Sequence, residues 1–318
     1  MGTQGHGVPA KAAGGGSPLT APSRLALDGR AYGLMVGCCL LWGLQQVAVK
    51  VALPDVSPVM QGGIRSVLAT ALLLLWARLR SLRLFERDGT LGPGLVAGVL
   101  FASEFFLIYY GLPNTTASRM IVFLYLAPCL TALGLALFVP GERLSAVQWA
   151  GTLVAFGGIV VAFADGLVSG RADTFIGDLC GVLGAAFWAA TTVVIRATRL
   201  GRASATKTLG YQLGISAVLL PLFSLALGEP GVMRLTLVSV TSLLYQGVIV
   251  AFASYLIWFW LLTRYLAGRL AVFGFLTPMA GVAFGVLLLG ERLTPVFGLG
   301  ALLVGAGIAL VNAPRAKA

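Results

Sequence analysis

Two charged residues stand where charge is costly. Glu104 and Arg65 each lie inside a long apolar stretch of this 318-residue chain. At about 1.5 Å of rise per helical residue, both fall roughly 11–12 Å below the same end of their segments. A carboxylate or guanidinium at that depth costs several kcal/mol unless paired or hydrated, so each is a functional candidate by default. Three roles fit Glu104. It is a proton-coupling site, half of a structural ion pair with Arg65, or the binder of a substrate amine. A buried ion pair serves geometry more than stability, which keeps the second role open.

A second set of candidates comes from a repeat. Ala117–Pro128 reads ASRMIVFLYLAP, and Ala267–Pro278, 150 residues on, reads AGRLAVFGFLTP. Pro128 and Pro278 fall near the middle of apolar segments, where a proline donates no hydrogen bond and crowds the preceding turn. The carbonyls four residues back, at Leu124 and Gly274, then need another partner. In hydrocarbon that places the break against protein or a water-filled cavity. Tyr125 and Phe275 lie three residues before the prolines, on about the same helix face. Trp42 and Trp188 also correspond, each eight residues before a basic residue, Lys50 and Arg196. With Gln45, these residues predict a substrate cavity lined by Trp42, Gln45, Glu104, Tyr125, Pro128, Trp188, Phe275 and Pro278. The plainer alternative is that the prolines kink packed helices and the tryptophans anchor and pack.

Other chemistry is poorly supplied. The single histidine is His6, so a His-ligated metal site inside the apolar segments is excluded. Cys38, Cys39, Cys129 and Cys180 lie in apolar surroundings without Cys-x-x-Cys spacing and read as small buried residues. Glu104 has no second deep acid for a carboxylate dyad. No Gly-x-x-x-x-Gly-Lys-Ser/Thr occurs, which argues against ATP-driven work by this chain alone. Nothing resembles a selectivity filter or a ring of like charges. No cofactor and no metal are expected. An intramembrane enzyme or a lipid-handling protein remains the competing class.

The elements that must position these residues are membrane spans. Hydrophobic residues make up 58% of the chain and charged ones 10%, with a mean hydropathy of +0.94. A soluble chain carries about 25% charged residues. The apolar runs are continuous rather than alternating, which selects helices over a barrel. Ten runs are long enough to cross: 31–53, 58–77, 91–112, 117–139, 146–164, 175–197, 208–227, 237–262, 267–289 and 294–312. The net charge of +11 reflects topology rather than nucleic-acid binding, because the basic residues cluster at segment ends. With the N-terminus inside, sixteen of the 22 Lys and Arg residues fall on the inner side and four outside. Both termini are therefore predicted to be cytoplasmic, in a multi-pass protein of the cell (inner) membrane.

Five spans per half is an odd number, so the second half enters the membrane upside down. The expected fold is all-α and integral to the membrane, with ten transmembrane helices as two inverted five-helix repeats around a central cavity. Inverted repeats of this kind serve alternating access. The organisation expected is a disordered cytoplasmic tail over 1–30, a first repeat over 31–165 and a second over 175–313. Gly-Glu-Arg-Leu follows each proline motif, at Gly141–Leu144 and Gly290–Leu293. It reads as a connector in which Gly ends one helix and Glu begins the next. Gly33/Gly37, Gly177/Gly181 and Gly281/Gly285 have the spacing of close helix contacts.

This ordered set resembles the drug/metabolite transporter superfamily, in particular its EamA-type members. The resemblance rests on Trp42-Gly43 with Lys50, Arg65, Ala117-Ser118-Arg119 with Pro128, the two Gly-Glu-Arg-Leu copies, and glycine-rich spans five and ten. It implies a cavity built mainly from spans one, three, four, six, eight and nine. It also implies secondary transport of small organic solutes, often export, with an uptake carrier of the same fold as the alternative. The partners expected are a small-molecule solute and the lipid bilayer, with a homodimer left open.

Overall fold

The computed structural model describes residues 28–84, 86, 88–139, 143–168, 174–265, 270 and 272–312. Of the tail expected over 1–30, residues 1–27 lie outside the described residues, as do the Glu142 copy of the connector and the 267–269 start of the second proline motif, whereas Gly29 and Arg30 already belong to the first helix. Among the described residues, twelve α-helices with complete bounds account for the ten spans. They are α1 (Gly29–Ala52), α2 (Pro58–Leu79), α3 (Leu91–Gly111), α4 (Ala117–Leu124), α5 (Ala127–Phe138), α6 (Ala146–Val168), α7 (Thr174–Ala197), α8 (Ala205–Ala226), α9 (Leu237–Leu244), α10 (Tyr255–Arg264), α11 (Leu276–Leu289) and α12 (Pro295–Val311). Span four is α4 and α5 in series, and span eight is α9 and α10 joined by a π-helical run, Tyr245–Ser254. Among the described residues no strand forms, and Val56 and Val232 pair in an isolated bridge.

Local sequence sets the helix ends. Asp28 caps α1 by accepting from the Ala31 amide at 2.8 Å, so the first span starts two residues before its expected bound. Thr116 caps α4 through the Arg119 amide, and Thr294 caps α12 through the Phe297 amide, each at 3.1 Å. Pro58 and Pro295 sit in the first turns of α2 and α12, where the missing donor is not needed. Gly290 ends α11 in the left-handed region, with φ of +65°.

The packing pairs follow a two-fold relation between the halves. Span two packs on seven and span five on ten; spans three and six pair as do eight and one; spans four and six pair as do nine and one. Side-chain ties repeat the relation at opposite ends. The end where α1 starts is called proximal and the other distal. At the proximal face Lys207, in the first turn of α8, donates to Asp88 after α2 at 2.8 Å. At the distal face Glu229, after α8, accepts from the Val59 and Met60 amides in the first turn of α2, both at 3.1 Å. The loop behind each of these helices thus meets the start of the other, which is the signature of an inverted duplication.

Small residues let backbones meet. A Cβ on Gly158 would lie 2.7 Å from the Gly300 carbonyl oxygen, so α6 and α12 touch main chain to main chain. Gly43 of α1 fits equally closely against Gly281 of α11, where a Cβ would stand 2.8 Å from the Gly281 nitrogen. Gly177, Gly181 and Gly281 sit at such contacts, whereas Gly33 and Gly37 face open space.

Candidate functional site

The chain breaks at the first proline motif and changes helix type at the second. α4 ends at Leu124, Tyr125 and Leu126 form the joint, and Pro128 stands in the first turn of α5. On the second copy a short 3-10 turn, Val272–Phe275, leads into α11, where Pro278 again lies in the first turn. The prolines therefore occupy positions that require no intrahelical donor, rather than interrupting a continuous helix as the sequence suggests.

Around these joints a group of polar and aromatic side chains gathers from both halves. Tyr125 is buried and meets Trp188 edge to face, with ring centroids 5.5 Å apart. Trp42 donates its indole N–H to Ser254 Oγ at 2.8 Å and meets Tyr255 edge to face. Gln45 donates to the Tyr109 hydroxyl at 3.2 Å, and Tyr109 donates to Gln246 Oε1 at 2.6 Å. Gln246 in turn donates to Gln61 Oε1 at 3.0 Å, which closes a buried chain from α1 through α3 to span eight and α2. Phe275 and Trp188 are half-buried and pack on the cluster that contains Tyr125. Pro278 is buried and Pro128 half-buried.

Glu104 and Arg65 belong to this group but do not form the direct ion pair that equal depth suggested. Both are buried, at 5% and 1% exposure. Arg65 instead lays its guanidinium over the Phe105 ring, 4.0 Å from the centroid. A cation over a ring face is favourable but leaves the N–H donors unused. Arg65 Nε and Nη1 have no hydrogen-bond acceptor. Glu104 makes neither an ion pair nor a hydrogen bond among the described residues, though Arg65, Tyr125 and Tyr255 lie within its electrostatic reach. Gln45 Oε1 and Gln46 Oε1 are buried acceptors without a donor. Each such atom costs about 1–3 kcal/mol, and more on a charged group. Few native groups are left this way, so each one asks for an explanation.

Sequence reasoning missed Phe105, Tyr109, Gln246 and Tyr255 here. A signal was present for one of them: Tyr255 follows Ser254 as Phe105 follows Glu104 in the repeat register. Arg65 lies over the Phe105 ring and interacts electrostatically with the repeat-equivalent Tyr255. The π-helical run left no such trace, yet it carries both Gln246 and Ser254. Such wide turns are frequent at functional sites.

A second charged cluster, at the distal face, was also unforeseen. Arg119 is buried and donates through Nε to both Asp178 oxygens at 3.1 and 3.0 Å, through Nη1 to Asp165 at 3.0 Å and through Nη2 to the Ala162 carbonyl at 2.9 Å. Thr115 and Thr294 donate to the same two aspartates. Nearby, Glu291 does not begin the next helix. It crosses to the other half and accepts from the Ala117 and Ser118 amides at 2.6 and 2.9 Å, capping α4. A cavity of about 780 Å3 opens at the proximal face between Gly89, Pro93, Val139, Arg196, Arg199 and Arg202. None of the eight residues predicted to line a substrate cavity borders it.

A bundle of ten spans, duplicated and inverted, with a polar centre drawn from both halves, is the build of a membrane transporter. The chain belongs to the EamA-like transporter family, whose sequence profile matches residues 29–164 and again 175–313. It is 30% identical over 280 residues to a protein of Escherichia coli (strain K12) named "Probable amino-acid metabolite efflux pump", spanning 85% of this chain and 90% of that one. It is 23% identical to "Uncharacterized transporter YoaV" of Bacillus subtilis (strain 168), over 86% and 94% of the two chains. A solved crystal structure shares the fold, with a TM-score of 0.62 at 20% identity over 87% of this chain and 95% of the other.

Proposed function

We propose that this protein is a secondary active transporter that exports small organic metabolites, amino-acid-like or drug-like, by alternating access. The observation that carries the reading is the group around Arg65 and Glu104. It is buried, charged and incompletely satisfied, and it lies where broken helices of both halves meet. Such midplane sites between inverted repeats are where carriers hold their solutes. The moving units are the halves 31–165 and 175–313.

The direction follows from two supports. Lys and Arg are concentrated at the proximal end, which makes that face cytoplasmic in the inner membrane. The relatives from Escherichia coli and Salmonella typhimurium are both named as efflux pumps of amino-acid metabolites. The test is counterflow in proteoliposomes loaded with a mixture of amino acids and their derivatives. Saturable exchange is expected. Flux that rises linearly with concentration indicates a pore instead, and chemical conversion of the solute indicates an enzyme.

A further inference from the structure

We propose that the proximal cavity is a lipid site: Arg196, Arg199 and Arg202 hold the headgroup phosphate of an anionic phospholipid, drawn from the leaflet that meets this end of the bundle. That leaflet is the cytoplasmic one under the orientation proposed above. The site is separate from the central group, none of whose residues border the cavity.

The cavity, about 780 Å3, lies between the start of α3 with the loop before it (Pro93, Gly89), the end of α5 (Val139) and the end of α7 with the 3-10 turn Arg199–Arg202 behind it. Three arginines line it at intervals of three residues. Side chains three apart in a 3-10 turn stand one above the other, which brings Arg199 and Arg202 to one cavity. Gly89 has a φ of +74°, and a Cβ there would lie 2.7 Å from Arg199 Nη1, so the loop before α3 leaves room for that guanidinium.

Charge decides what the cavity attracts. The two described acids of the loop before α3 are engaged: Asp88 accepts from Lys207 at 2.8 Å, and Glu86 pairs with Arg83 at 3.4 Å. Neither Arg199 nor Arg202 enters an ion pair among the described residues, and both are exposed. α5 and α7 also end here, and each C-terminus counts for roughly −0.5 of an elementary charge. Arg199 and Arg202 alone outweigh the two ends together. The other half of the molecule has no such pair. In the register that aligns Lys50 with Arg196, Leu53 and Val56 stand where Arg199 and Arg202 stand, and Val56 is buried in its bridge to Val232. The arginine pair therefore belongs to one face and not to the duplicated fold.

Guanidinium groups match phosphate oxygens through forked, charge-assisted hydrogen bonds. The surroundings select the molecule that carries the phosphate. Leu137 and Phe138, just before Val139, are 69% and 71% exposed, and Leu91 at the start of α3 is 63% exposed. On membrane spans such side chains meet lipid tails. Basic pockets between helices at the cytoplasmic face take anionic headgroups in this setting. A phospholipid meets both features at once, its phosphate in the cavity and its acyl chains along α3 and α5. A soluble phosphate meets only the first.

The experiment measures binding to the full-length protein in detergent, by native mass spectrometry and by unfolding temperature. Its three probes are phosphatidylglycerol, phosphatidylcholine, whose ammonium offsets its phosphate, and glycerol 1-phosphate. Phosphatidylglycerol is expected to bind at least about tenfold more tightly than either other probe, and to raise the unfolding temperature as a ligand of the folded state does. Arg199→Gln combined with Arg202→Gln is expected to weaken that binding at least about tenfold. Arg78→Gln combined with Arg80→Gln removes equal charge from exposed positions at the same face outside the cavity, and is expected to weaken it less than about twofold. Equal losses in the two double variants mean general attraction to a basic face and overturn the site. Glycerol 1-phosphate binding as tightly as phosphatidylglycerol overturns the lipid, and phosphatidylcholine doing so overturns the role of charge. The ranking of the three probes on the parent protein needs no variant, so a misfolded substitution leaves the proposal exposed. These readouts report binding alone. Their failure leaves the transporter reading standing, and failed counterflow leaves the lipid site standing.

Discussion

The distal cluster and the centre of this protein bury charge at similar exposure and treat it in opposite ways. Arg119 is 2% exposed and spends its guanidinium on two aspartates and a carbonyl. Arg65 is 1% exposed and keeps two donors unused. The penalty for desolvating an arginine is the same at both sites, several kcal/mol before compensation. At the distal face the chain compensates it with its own carboxylates, which makes the cluster a fastener between span four and its neighbours. At the centre the chain supplies the Phe105 ring, with Tyr255 and Glu104 nearby, but no ion pair. The contrast teaches that burial alone does not mark a binding group; burial without a partner does.

The comparison breaks hardest at Arg119. Arg119→Gln strands two buried aspartates, and removing one member of a buried pair costs about 3–5 kcal/mol. The expected result is a large fall in unfolding temperature in detergent and a poor yield. A variant as stable as the parent would mean the cluster is not a fastener. Arg65→Gln is expected to reverse the pattern. Loss of charge-assisted hydrogen bonds to a solute is worth about 1.5–3 kcal/mol, or roughly tenfold to a hundredfold in apparent affinity. Thermal stability should fall much less than for Arg119→Gln, because the substitution breaks no ion pair and removes only the contacts with Phe105 and Tyr255. Paired melting and counterflow curves for these two variants separate fastener from site.

Glu291→Gln comes next. It removes a full charge from three donors at the start of α4, and caps are worth about 0.5–2 kcal/mol. A modest loss of stability is expected, measured by thermal unfolding, with a larger relative effect on transport because the cap ties one half to the other. Asp88→Asn should matter least. The Lys207 ammonium and the Thr90 hydroxyl hold the Asp88 carboxyl below the usual carboxylate range. A carboxylate lowered by folding stabilises the folded state fully above about pH 3.9, the free aspartate value, and loses that contribution as pH falls from there. Wild type and Asp88→Asn should therefore differ near neutrality and converge in acid. A difference that grows in acid would contradict the assignment.

Much of this fold could be read from the chain because its causes are local. Continuous apolar runs fix the spans, Pro58 and Pro295 mark helix starts, and the repeated proline motif fixes the duplication. The family and the transporter class followed from motifs in order. What stayed hidden depends on where side chains reach. Asp178 looks like a span-edge residue and becomes half of a buried fastener. Glu291 looks like the start of the next helix and becomes the cap of a distant one. Glu104 and Arg65 were visible as deep charges, but equal depth does not say which way two side chains turn. The π-helical turn of span eight left no signal because its hydrogen-bond period is not encoded by apolar spacing.

That turn also limits how alike the two halves can be. Span three, its counterpart, is an ordinary α-helix over Leu91–Gly111, while span eight winds ten residues more widely. In a molecule with identical halves, the two exchanged arrangements would be related by the two-fold axis in the membrane plane and would have equal free energy. Here nothing enforces that equality. A difference of about 1.4 kcal/mol already places ten molecules in one arrangement for each in the other. Under the proposed alternating access, the resting orientation is therefore a property of the sequence, and the wide turn is a visible difference in winding between the two halves.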